Sequence, residues 1–395
     1  MNIRPHESDA IQPVTRPENC LFSFRGPRAG IAGCGPARML PRGAVATLDS
    51  RLAAAGLGDG MVIGGALPFE REAEDCLWQA VACPAPPLPA QAQAQAQPLP
   101  TIRSLQPQPS AGDYAAAVAR ALRIIEDETG RPDALAKIVL SRTLALEADA
   151  PIPAPAVMAR LAQDPDVTTY HTRLPGGPDH ALIGATPELL LRKSGGRIVS
   201  HPLAGSAPRS TDPAADHAAA KGLSQSDKDR REHRFVVEYI LDILAPHCTE
   251  LACPEGTGLT HTRSMWHLGT RITGRLRDAA VPSILLAAAL HPTPAVCGVP
   301  ATRAARIIGE LEPRPRGFYA GAVGWNDAQG DGAWFVAIRS AEISGNHARL
   351  HAGAGIVRGS DPMEEAAETG AKFGALLAAL GLPRDAGMAG VTLPA

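Results

Sequence analysis

Four glutamates and two lysines stand where their side chains could do chemistry. In SDKDRREHRFVVEYILDIL, the residues Phe235, Val236, Tyr239, Ile240, Ile243 and Leu244 form a helical apolar stripe. Counting back three and four positions from Phe235 and Val236 arrives at Glu232, which the spacing turns toward the same side. Near the C-terminus, EEAAETGAKFGALLAAL puts Glu365, Glu368 and Lys372 at i, i+3 and i+7, in line with Leu376 and Ala379. An ionised carboxylate facing the interior is costly unless it is paired or bound to a cation. Two of them on separate helices suit Mg²⁺, which takes one or two carboxylates plus water and ligand oxygens. On pattern alone, plainer roles fit equally. Glu368 and Lys372 suit an i,i+4 surface ion pair worth roughly a few tenths of a kcal/mol, and Glu232 suits the first turn of a helix, where the dipole favours it. Lys137 opens the strand KIVLSR and by alternation shares a face with Val139 and Ser141. Glu188 follows a proline turn in GATPELLL. Each of these two is also compatible with an ordinary solvated position.

The elements that must position these residues are strands and helices mixed without a βαβ rhythm, which favours an α+β fold over a doubly wound sheet. Residues 1–110 are strand-rich with glycine turns, and GGALPFE suits a buried strand end. Residues 113–380 carry the chemistry. DYAAAVARALRIIEDE has helical spacing, KIVLSRTLAL alternates as a strand, and HALIGATPELLLRK is strand, tight turn, strand. FYAGAVGWND and AWFVAIRSAEIS form an antiparallel pair about AQGDG, and the last long helix begins near Asp361-Pro362. Between the two parts, residues 84–109 are rich in Pro, Ala and Gln, a composition expected to form a mobile surface loop.

The 395-residue chain is 45% hydrophobic, enough for a sizeable core. A net charge of −2 points away from nucleic acid and membrane surfaces and means that an anionic ligand must be held by local charge or a metal. The seven cysteines are scattered with no CxxC pair, which suggests free thiols in a reducing, cytoplasmic setting. MNIRPHESDA lacks the apolar segment of a signal peptide, and the apolar stretch Pro282–Pro300 is broken by His291 and prolines.

Ten segments, KIVLSR, GATPELLL, HPLAGSAPRS, SDKDRREHRFVVEYI, MWHLGTRI, LHPTPAVCGVP, RGFYAGAVGW, FVAIRSAEI, HAGAGIVRGSDP and EEAAETGAK, stand in an order that resembles the chorismate-utilising enzymes. That family includes isochorismate synthases, salicylate synthases and the first components of anthranilate and aminodeoxychorismate synthases. KDRREH and LHPTPAVCG are most similar to isochorismate synthases of siderophore pathways. The resemblance implies one large α+β domain over residues 1–395, with two antiparallel sheets packed together and helices outside, like anthranilate synthase component I. It implies a magnesium-dependent isomerisation of chorismate, with water added at C2 and the C4 hydroxyl lost. The expected enzyme is a cytoplasmic monomer with no amidotransferase subunit, no nucleic acid and no membrane as partner.

By the same resemblance, Lys137 is the base that takes a proton from water, its ammonium pKa lowered by burial and cationic neighbours. Glu188 is the acid that protonates the leaving hydroxyl and must stay protonated at neutral pH. Glu232 and Glu368 are the magnesium ligands, with Glu365 reaching the ion through water. Gly205 and Ser206 offer backbone N–H groups, Tyr319 and Arg339 suit the enolpyruvyl carboxylate, and Gly353 and Gly355 let backbone approach the ligand. His267 faces the ring or is a core histidine, Lys372 adds positive charge, and Ala295 and Val296 line the region whose shape separates isochorismate from salicylate synthesis. Ala204 stands where an aminodeoxychorismate synthase is expected to carry lysine, and Lys137 speaks against anthranilate synthesis. The intact set Lys137, Glu188, Glu232 and Glu368 counts against a non-catalytic relative.

Overall fold

Short polar residues set the helix starts. Ser110 accepts the Asp113 N–H to begin the Ala111–Asp127 helix, and Ser226 accepts the Asp229 N–H to begin Asp227–Leu244. Asp361 accepts the N–H groups of Met363 and Glu364 ahead of Pro362–Ala379, whose proline sits where no N–H is missed. Each such cap contributes about 1 kcal/mol. The computed structural model describes residues 20–27, 29–85 and 98–388. Among them, seventeen strands form one antiparallel sheet system, and three, Leu203–Pro208, Thr257–His261 and Met265–Thr270, form a second small sheet. The expected α+β architecture is present, with strands divided unequally between the sheets.

The spine is the twelve-residue strand Lys137–Ala148. It pairs along its whole length with His347–Val357, in a register that sets Lys137 opposite Val357, Val139 opposite Gly355 and Ser141 opposite Gly353. The main core includes Ile138, Leu140, Ile356, Val236 and Ile240, so the two paired strands and the Asp227–Leu244 helix share one apolar interior. A second cluster packs Phe373, Leu376 and Leu377 of the Pro362–Ala379 helix on Leu144, Ile183 and Leu350. Both acid-bearing helices are thus fixed by their apolar stripes.

Three expectations are corrected. Residues 84–109 are only partly a connection. Pro84 ends the Cys76–Pro84 strand, and Ile102–Gln108 is a strand in which Leu105 pairs with Leu146, because its apolar residues find a ladder and a core to join. The Ala/Gln run at 86–97 lies outside the described residues. AWFVAIRSAEIS is not one strand. Gly332–Val336 and Ser340–Ser344 are separated by a break at Arg339, whose φ of 52° takes the chain out of the extended region. Two of the cysteines are not free. Cys34 and Cys83 lie on neighbouring antiparallel strands with Cα atoms 6.4 Å apart and form a disulfide, a proximity that the sequence separation of 49 conceals. Cys20, Cys76, Cys248, Cys253 and Cys297 are free thiols. No helix among the described residues is long and apolar enough to cross a membrane.

Candidate active site

A cavity of about 70 Å³ lies where the Lys137–Ala148 and His347–Val357 strands meet the two acid-bearing helices and the small sheet. The residues singled out in the sequence converge on it. Glu188, Gly205, Ser206, Glu232, His267, Ala295, Val296, Tyr319, Arg339, Gly353, Gly355, Glu368 and Lys372 all line it. Lys137 stands just behind, fully buried, with Nζ 3.0 Å from Glu232 Oε1. The contact has ion-pair distance without hydrogen-bond alignment, so the Lys137 amine makes no hydrogen bond among the described residues. The charge set against Lys137 is therefore a carboxylate, where a cation was expected. The helix stripe that orients Glu232 inward also orients Val236 and Ile240, and the pair forms because the strand start points at that face.

Glu188 sits in the turn between the His180–Thr186 and Leu189–Ser194 strands and is 3% exposed. Burial pushes its carboxyl up to about 8, against the opposing pull of the Leu203 backbone N–H and the charges of Lys137 and Lys372. At neutral pH the group holds its proton.

The C-terminal helix supplies an alternating set of charges. Lys372 Nζ lies 2.5 Å from Glu368 Oε1 and donates to the Gly353 carbonyl at 2.8 Å, while the Ser206 hydroxyl donates to the same Glu368 oxygen at 2.9 Å. The Glu368–Lys372 pair thus belongs to the cavity and is no surface decoration. Burial disfavours its ionisation, but Lys372, Lys228 and Ser206 together hold Glu368 below the ordinary carboxylate range. Glu365 does not line the cavity. It is 1% exposed and paired with Lys228 at 2.5 Å, with Oε2 making no hydrogen bond among the described residues. Burial and then the Glu368 charge push it up to about 7.

These three carboxylates are the residues that could hold a metal. Among the described residues no three His, Cys, Asp or Glu side chains converge as a ready-made cage. Magnesium does not require one, since it keeps waters and binds through one or two carboxylates and ligand oxygens. Glu232 and Glu368 facing one cavity, with an unpartnered oxygen on buried Glu365 behind them, fit that donor set.

Gly353 and Gly355 are in mid-strand and line the cavity, and side chains also come close to both. A Cβ at Gly355 would stand 2.0 Å from Glu232 Oε1, and one at Gly353 2.8 Å from the Tyr319 hydroxyl. Gly355→Ala is accordingly expected to push Glu232 off Lys137, destabilise the fold by about 1–3 kcal/mol through overpacking, and lower turnover. Calorimetry and an activity assay check this, and unchanged values of both would mean that Glu232 has room to spare. Gly205, at φ +73°, makes a bulge in the Leu203–Pro208 strand, and a Cβ there would press on Asp229 at 2.9 Å.

Beside Gly353, Tyr319 stacks on His351 at 4.7 Å, and burial raises the phenol's pKa, so it stays a neutral donor. Burial lowers the Arg339 guanidinium to about 10, still charged at neutral pH. Its left-handed backbone costs about 1–3 kcal/mol and is the kind of strain that collects at binding sites. His267 faces the cavity with Nε2 unpartnered among the described residues, and burial, then Arg339 and Lys372, hold it neutral.

His351 and Lys228 were not singled out in the sequence. His351 shares the period-2 face of Gly353 and Gly355, and Lys228 lies one helical turn before Glu232, so both carried a usable signal.

A family model described as chorismate binding enzyme matches residues 72–381. Isochorismate synthase DhbC of Bacillus subtilis is 44% identical over 286 residues, covering 70% of this chain and 70% of that protein. A Mycobacterium tuberculosis protein provisionally named isochorismate synthase MenF is 43% identical over 373 residues, 90% of this chain and 97% of that one. The crystal structure of DhbC from Bacillus anthracis, provisionally named a 2,3-dihydroxybenzoate-specific isochorismate synthase, superimposes with a TM-score of 0.83 at 37% identity, covering 92% of this chain and 97% of the other.

Proposed function

Because the chain belongs to the family of chorismate-binding enzymes, we propose that it converts chorismate reversibly to isochorismate, adding water at C2 and releasing the C4 hydroxyl. The observation that carries this reading is a buried cavity lined by the proton-holding carboxyl of Glu188 and by Glu232, with the Lys137 amine directly behind Glu232 and its charge acting on Glu188. Water is a weak nucleophile and hydroxide a poor leaving group, so the exchange needs a base and an acid together.

Lys137, resting as the ammonium paired with Glu232, acts as the base once it has given up its own proton: the free amine takes the proton of the attacking water, and the Glu232 carboxylate 3.0 Å away stabilises the ammonium that re-forms. Glu188 gives its proton to the departing C4 oxygen as the ring double bonds shift. Glu232 and Glu368, with Glu365 behind them, would hold Mg²⁺, which when bound neutralises the ring carboxylate. Arg339 and Tyr319 orient the enolpyruvyl carboxylate, the guanidinium as a charged fork and the phenol as a neutral donor. His267, uncharged, and the apolar Ala295 and Val296 line the rest of the cavity.

The relatives' names include both 2,3-dihydroxybenzoate-specific and MenF proteins, and the resemblance of KDRREH and LHPTPAVCG to siderophore-pathway enzymes is what favours that branch. Cytoplasmic operation as a monomer, without an amidotransferase subunit, belongs to the same reading. The test is incubation with chorismate, with Mg²⁺ or with chelator, followed by chromatography. Isochorismate in equilibrium with chorismate is expected, without appreciable pyruvate and only when Mg²⁺ is present. Salicylate with equimolar pyruvate would transfer the protein to the salicylate synthases, and turnover undiminished by chelator would remove the metal from the scheme.

A further inference from the structure

A second cavity, of about 370 Å³, lies outside the first and shares Pro187 and Arg339 with it. Its charged lining is one-sided, with Arg160, Arg263, Arg339 and Arg384 against Asp164 alone. Asp164 is already engaged, since its two oxygens accept the backbone N–H groups of Asp166 and Arg263 at 3.1 and 2.9 Å. Arg263 Nη1 rests on the Gln163 carbonyl at 3.4 Å, and Arg160 Nη1 on that of Ala379 at the same distance. Arg263 and Arg384 form no side-chain ion pair among the described residues, whereas Arg339 feels the Glu368 and Asp164 carboxylates and donates from Nη1 to the Lys372 carbonyl at 3.4 Å. The remaining wall is apolar, built from Leu161, Val167 and Leu376. An apolar wall with unpaired guanidiniums matches a ring that bears two carboxylates.

The chain as a whole carries a net charge of −2, so no long-range field draws such a dianion in. We propose that the outer cavity is an anion vestibule, in which Arg263 and Arg384 capture a cyclic dicarboxylate that then passes to Arg339 at the neck of the inner cavity. This rests on the chorismate reading above. Arg339 lines both spaces and carries its charge from one to the other. Arg263 and Arg384 are exposed at the outer side and act before chemistry begins.

The test is the double variant Arg263→Glu with Arg384→Glu, assayed with chorismate across ionic strength. At low salt, kcat/KM is expected to fall about tenfold, the scale of local electrostatic capture, with the loss carried by KM rather than kcat. The parent-to-variant ratio should shrink toward one near 1 M salt, where the screening length is about 3 Å. The paired Gln substitutions should give an intermediate loss. A ratio of one at low salt, or a loss residing in kcat and indifferent to salt, would overturn the vestibule while leaving the chorismate reading intact. Failure of the parent protein to turn over chorismate at all would overturn that reading and the vestibule with it.

Discussion

Glu188→Gln is expected to reduce turnover by about 10²–10⁴-fold, the range spanned by a positioned general acid, without loss of fold. Glutamine keeps the shape and can still accept the Leu203 backbone N–H, but it has no proton to give. Because the buried carboxyl is already neutral at pH 7, the substitution removes no charge from the interior. The parent enzyme offers a second handle. With its pKa raised to about 8, Glu188 is in its working, protonated form below that value and loses it as pH rises through it. The step that uses this proton should therefore decline on the alkaline side, and the Gln variant's residual activity should lack that limb. The sign for stability is the same. A carboxyl whose pKa is raised on folding stabilises the fold less as pH climbs from the ordinary carboxylate range through 8, since ionising it in the buried site is unfavourable. A Glu188→Gln protein that retains near-parental turnover would remove the acid from its role.

Lys137→Ala should be as damaging to turnover but not as gentle to the fold. Lys137 is fully buried against Glu232, and deleting one partner of a buried pair costs about 3–5 kcal/mol because the other charge is left uncompensated. Loss of activity in the alanine variant therefore mixes two causes. Lys137→Arg separates them. A guanidinium preserves the charge opposite Glu232 yet stays protonated at any working pH, so it can pair but cannot accept the proton of water. The expected outcome is a folded protein, by circular dichroism and thermal midpoint, with turnover reduced about 10²-fold or more. An arginine variant that isomerises chorismate at the parental rate would show that Lys137 serves only as a counter-charge.

Much of the arrangement could be read from local pattern. The inward direction of Glu232 follows from its place in the stripe of Val236 and Ile240, and the helix starts at Ser226 and Asp361 follow from capping residues in the chain. The Lys137 strand, the turn before Glu188 and the start of the last helix were all legible in this way. The Ile102–Gln108 strand was not, because Pro and Gln dominate its surroundings and its strand character comes from pairing with Thr143–Ala148. The break at Arg339 was also hidden, since an arginine in left-handed backbone runs against local preference and is sustained by the packing around it.

What the sequence by itself determined is direction: which faces of which helices and strands carry acid, base and glycine. That is a property of 3.6- and 2-residue backbone periods, which need no knowledge of partners. Only the tertiary structure decided who meets whom. It set Glu232 on Lys137, Lys228 on Glu365, Tyr319 on Gly353, Cys34 on Cys83, and four arginines around an outer cavity. Contacts between distant segments depend on how whole elements pack, and the burial that raises Glu188 arises only when those elements close over it.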